Sequence, residues 1–104
     1  MVYELYKEIF LISNSLPKNT KYSLGQSMEK SVLDLLETLI YSKNASLPLK
    51  QTYLLKSQAN LEIMTMKIRL LLELKLANET SIFQIQAKLQ EVGRMLGGWI
   101  KSIG

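Results

Sequence analysis

The chain has 104 residues, 47% of them apolar, with 13 Lys or Arg against nine Asp or Glu and a formal net charge of +4. That length carries one domain with a modest core. The absence of Cys excludes a disulfide framework and thiol chemistry, and the absence of His removes the commonest general base and metal ligand.

Val2, Leu5, Ile9 and Ile12 recur at three- and four-residue spacing, and Tyr6 and Phe10 widen the stripe, which predicts a first helix over about 2–15. Glu4, Lys7 and Glu8 interrupt any apolar leader segment, and no run of about 18 uncharged apolar residues occurs anywhere. The expectation is a cytoplasmic protein without a membrane span, so the two Asn-x-Ser/Thr sequences at Asn44 and Asn78 read as chance. Pro17 ends the helix, because the residue before a proline is pushed out of the helical region.

A second helix is predicted over about 21–43, capped by Asn19 or Thr20, with the stripe Leu24, Met28, Val32, Leu35, Leu36, Leu39 and Ile40. Gly25, one turn in, is either a mild defect or a packing contact. The segment 44–48 is the next connection, with Ser46 as N-cap and Pro48 in the first turn of a third helix. That helix is predicted over about 48–77, or about 45 Å at 1.5 Å per residue. From Leu61 to Ala77 it is apolar on more than one face, whereas a helix of a small monomeric bundle needs one stripe. Burial of a second side, most simply against another subunit, follows.

Ser81 or Thr80 caps a fourth helix over about 81–101, whose Ile82, Ile85, Leu89, Val92, Leu96, Trp99 and Ile103 keep heptad spacing. Gly97 and Gly98 interrupt its last turns, each costing a helix interior roughly 0.8–1.0 kcal/mol relative to Ala. They either end the helix or let another helix or a partner approach a surface without Cβ atoms. Four helices with short connections make an all-α, up-down-up-down antiparallel four-helix bundle as one domain over 1–104.

Catalytic patterns are absent from the sequence. The carboxylates, among them Glu8, Glu29, Asp34, Glu37, Glu62, Glu73 and Glu91, sit among lysines on expected helix surfaces. There is no Glu-x-x-His, phosphate loop, dinucleotide turn or serine elbow, so neither an enzyme nor a cofactor or metal site is expected. The basic balance is uneven. Residues 1–52 hold six Lys against five acids, or +1, and residues 53–104 hold seven Lys or Arg against four acids, or +3. Lys56 and Lys67 lie eleven residues, or three turns, apart and share a helix face. Lys18 and Lys21 flank the first connection, and Arg94 and Lys101 flank the glycine pair.

Two stretches carry a resemblance. Leu16-Pro17-Lys18 with Tyr22-Ser23-Leu24-Gly25-Gln26 resembles the family of four-helix-bundle proteins that includes those encoded in 23S rRNA intervening sequences. The segment from Ile85 to Ser102, ending Glu91-Val92-Gly93-Arg94-Met95-Leu96-Gly97-Gly98-Trp99-Ile100-Lys101-Ser102, resembles the accessory variability determinant (Avd) branch of diversity-generating retroelements, as does Asp34 to Ile40. Ser27 stands where related sequences often carry a basic residue.

The resemblance implies a pentameric basic barrel. It also implies a non-catalytic accessory role, with binding to the retroelement's reverse transcriptase and to RNA or DNA during mutagenic cDNA synthesis. Under it, Lys18, Lys21, Lys56, Lys67, Arg69, Arg94 and Lys101 would neutralise phosphates without reading bases. Gly25, Gly93, Gly97, Gly98 and Trp99 would serve packing or partner contact. The alternative is a structural helical oligomer or interaction scaffold without nucleic-acid function.

Overall fold

The computed structural model describes residues 2–103. All its regular elements are helical, in a rod of 43 × 22 × 19 Å. Helix α1 is Val2–Asn14. Helix α2 is a continuous rod of three parts: a short turn Lys18–Thr20, a π-helical turn Lys21–Gly25 and a long α-helix Gln26–Asn44. Helix α3 is Leu47–Glu73 and α4 is Glu79–Ile103. They form an antiparallel four-helix bundle, with α2 on α3, α3 on α4 and α1 closing against α2 and α4.

The core is built from the predicted stripes. Leu5, Ile9 and Ile12 of α1 meet Met28, Val32 and Leu35 of α2, Leu61, Met64, Ile68 and Leu71 of α3, and Ile82, Ile85, Leu89, Val92 and Leu96 of α4. Trp99 and Ile103 continue the α4 seam, partly buried. The α2–α3 contact is polar along its length. The buried Ser57 hydroxyl donates to Thr38 Oγ1 at 2.8 Å, Ser42 Oγ donates to the Thr38 carbonyl, and Lys67 Nζ reaches the Ser27 carbonyl at 3.2 Å and Ser31 Oγ at 2.5 Å. These bonds fix the axial level of α3 against α2 in a way an all-apolar seam would not.

Three boundaries differ from the sequence reading. Helix α2 starts at Lys18, three residues early, because Pro17 sits at the N-cap with an extended ψ of 149° and leaves Asn19 and Thr20 inside the helix rather than capping it. Lys21–Gly25 then form a widened, π-helical turn. Ser23 Oγ donates to the Asn19 carbonyl at 3.0 Å, covering a carbonyl near the widened turn.

Helix α3 ends at Glu73, not near 77. Lys75 adopts the left-handed conformation at φ 54°, the Leu76 N–H donates to the Leu71 carbonyl at 3.0 Å, and the Lys75 N–H donates to the Leu72 carbonyl at 3.2 Å. This is a Schellman stop with lysine where glycine is usual, and the missing Gly is why the end was not legible. The cap of α4 is Asn78, whose Oδ1 accepts the Ser81 N–H at 3.1 Å, rather than Ser81 or Thr80. Ser46 does precede α3 as its N-cap residue, with proline in the first turn.

Candidate nucleic-acid interface

The four glycines singled out from the sequence fall into two kinds. Gly25 lies against α1, and a methyl built there would overlap the buried Ser13 hydroxyl. Its absence of a side chain is what lets α1 and α2 approach. Gly93 is ordinary packing, with Leu61 Cδ2 at 3.4 Å from a built Cβ. Gly97 and Gly98 are different. Helix α4 runs through them to Ile103, so they do not end it, and a Cβ at either would meet nothing within 4 Å. Among the described residues, no other helix approaches them.

Arg94 and Lys101 are both exposed on α4. Seven residues apart, they sit about two turns from each other on one face. Gly97 and Gly98 lie between them, so this face presents two cations about a stretch of bare backbone. That combination suits a phosphate chain or a closely packed partner: the cations neutralise charge, and the missing side chains admit close approach.

The remaining sequence-predicted cations are not gathered there. Lys18 and Lys21 open α2 at the end of the bundle where α3 finishes, and Arg69 lies toward that same end, beside Ile63 and Met66. Lys56 is exposed, with its Nζ 5.6 Å from the centre of the Tyr53 ring, which itself packs on Tyr41 at 5.4 Å. Lys67 shares a helix face with Lys56 but turns inward to Ser27 and Ser31. Burial holds its ammonium below the usual lysine range, Lys30 adds to the effect, and Asp34 opposes it. Ser27 thus has an ammonium at its carbonyl although the residue itself is uncharged.

Sequence reasoning missed two charged features. Lys75 adds an exposed cation at the Lys18 end, placed there by the left-handed stop of α3. Lys88 is paired with Glu8 at 2.6 Å across α1 and α4, with both side chains about 30% exposed. Neither has a short-range sequence signal, since one depends on backbone conformation and the other joins residues 80 apart.

Apolar surface is also exposed. On α3, Leu55, Ile63, Met66, Leu70 and Leu74 form a stripe opposite the core, so the predicted surplus lies on the surface of the single chain. On α2, Leu33 and Ile40 are about half exposed and line a shallow groove with Leu36, Glu37 and Tyr41. The neighbouring Glu37 carboxylate raises the Tyr41 phenol above its usual range. Among the described residues no helix is long and apolar enough to cross a membrane.

No curated protein matches this sequence. A model of the bAvd-like family matches residues 1–103. That match covers the whole bundle, the Gly97–Gly98 face and both stretches that carry the resemblance, and the chain belongs to the bAvd-like family.

Proposed function

We propose that this Avd-type protein is a non-catalytic, cytoplasmic accessory subunit that assembles as a homopentamer. It binds the reverse transcriptase of its retroelement together with RNA or DNA in support of mutagenic cDNA synthesis. The observation that carries the nucleic-acid part is the α4 face on which exposed Arg94 and Lys101 bracket two glycines where an added Cβ would meet nothing within 4 Å. Five copies at +4 each would carry about +20, a field strong enough to draw a polyanion to a surface without base-reading groups. The exposed α3 stripe supports assembly. It would support a scaffold without nucleic-acid function equally well, so the charge on α4 is what separates the two.

The test is binding of single-stranded RNA and DNA as a function of salt. Replacing Arg94 and Lys101 together by Gln should weaken binding and lower the slope of log affinity against log salt by about one for each phosphate that is no longer neutralised. Lys67→Gln, which removes an ammonium already bound to α2, should leave that slope unchanged. Binding that ignores salt, or a slope that responds to Lys67 and not to Arg94 and Lys101, would overturn this reading. Co-purification with the reverse transcriptase tests the protein partner separately.

A further inference from the structure

The α1 corner of the bundle is filled along only part of its length. Helix α1 has 13 residues and α4 has 25, or about 20 Å against about 38 Å at 1.5 Å per residue. The Glu8–Lys88 ion pair sets the level of α1 on α4 and brings Val2 beside the turn of Arg94. Helix α4 then runs on from Met95 to Ile103, about 13 Å, and α2 runs on to Asn44. Between these two helix ends, no described residue takes the place that a longer α1 would fill. A pocket of about 420 Å³ lies there instead, lined by Val2, Leu39, Val92, Met95, Leu96 and Trp99. Every lining residue is apolar, and Met95 is 61% exposed.

The rim carries a cation and a gap. Exposed Lys43 lies one turn beyond Leu39 on the α2 wall. Gly98, three residues after Met95, leaves the α4 wall without a side chain, and a Cβ there would meet nothing within 4 Å. The acids Glu4 and Glu91 stand at the level of α1 itself, before the open length begins. Arg94 and Lys101 lie farther round α4.

We infer that this groove takes a short amphipathic helix of a protein partner, about two turns long, laid along the line of α1. The inference rests on the reverse-transcriptase part of the reading above and names what that partner presents. Its apolar stripe covers Leu39, Met95 and Trp99, and an acidic residue stands beside Lys43. The furrow between two bundle helices is where another helix packs, at about 8–10 Å between axes. An apolar lining does not suit a phosphate chain, whose oxygens would lose water without gaining partners. A second copy fits poorly too. Each helix of the bundle already packs on two neighbours and offers only an outer face, whereas this corner receives a helix free on most of its circumference. Gly98 and Trp99 thus serve the protein partner, and Arg94 and Lys101 stay free for phosphate.

The experiment uses the full chain and the full-length reverse transcriptase of its retroelement. Trp99 is the single tryptophan of the chain. Fluorotryptophan incorporated there gives one fluorine resonance, whatever tryptophans the unlabelled polymerase carries. That resonance should shift when the polymerase binds. Met95→Arg should weaken binding about tenfold or more, because it sets a charge where the apolar stripe must sit, and Met95→Leu should stay within about twofold. Lys43→Glu should weaken binding, and Lys43→Arg should preserve it. Both positions are exposed, so helix content by circular dichroism and the mass of the free protein by light scattering should not change.

A polymerase that binds without moving the resonance, or that binds Met95→Arg and Lys43→Glu as tightly as the unsubstituted chain, would overturn the inference and leave the proposed function standing. A polymerase that does not bind the unsubstituted chain would remove the proposed function and this inference with it. A changed assembly mass for Met95→Arg would assign the groove to a second copy and overturn the inference as well.

Discussion

Replacing Gly25 by Ala should destabilise the protein in its own background and stabilise it once Ser13 is also Ala. Gly25 is helical at φ −59° and ψ −52°, so alanine there meets no backbone strain. It would gain about 1 kcal/mol from helix preference. The opposing effect is steric: the new methyl overlaps the Ser13 hydroxyl, which is fully buried and donates to Glu29 Oε2 at 3.2 Å. Relief requires turning that hydroxyl away and giving up its bond, or shifting α1 from α2, at roughly 1–3 kcal/mol. The net expectation for Gly25→Ala is a destabilisation of about 1 kcal/mol.

With Ser13→Ala, the nearest remaining atoms are the residue 13 Cβ at 3.5 Å and Leu16 Cδ1 at 3.6 Å, both ordinary van der Waals distances. In that background Gly25→Ala should stabilise by about 0.5–1 kcal/mol. The double-mutant cycle should therefore show a favourable coupling of about 1.5–2 kcal/mol between the two substitutions. Thermal unfolding at one fixed protein concentration reads it, since each kcal/mol corresponds to about 4–8 °C for a domain near this size. Additive effects of the two substitutions would refute the claim that Gly25 is there to clear Ser13.

Two further outcomes rest on helix ends. Lys75→Gly should raise stability by about 0.5–1 kcal/mol by removing a side chain from the left-handed position at φ 54°, and Lys75→Val should lower it; equal melting temperatures for both would contradict the Schellman assignment. Asn78→Ala should cost about 0.5–2 kcal/mol by removing the acceptor of the Ser81 N–H, while Asn78→Asp should keep most of it; a neutral alanine variant would remove Asn78 from its capping role.

Much of the bundle was legible because its apolar spacing is regular. The α4 heptads predict the buried Ile82, Ile85, Leu89, Val92 and Leu96 directly; the apolar surplus of α3 predicts burial of a second side against another subunit, and in the single chain that side is exposed. Gly25 reads two ways from the sequence because periodicity reports which face a residue occupies, not what stands opposite; only the buried Ser13 on another helix decides it. The early start of α2 is hidden because Asn19 and Thr20 read as capping residues, whereas Pro17 takes the N-cap.

The candidate site was legible in part. Arg94, Gly97, Gly98 and Lys101 are close in sequence and on one helix, so spacing alone places them together. Lys67 shares a helix face with Lys56 by spacing, yet Ser27 and Ser31 capture it. Lysine reach and hydroxyl placement across two helices are tertiary facts that one helix's pattern does not contain.

The most direct test is the mass of the unsubstituted protein in solution, by light scattering at moderate salt. The expected result is an assembly near five times the 11.9 kDa chain, in which the exposed α3 stripe is covered and the basic charge of each copy is summed. A clean monomer would contradict it, since the exposed stripe would then have no partner of its own kind and the field that draws nucleic acid would shrink to that of a single chain.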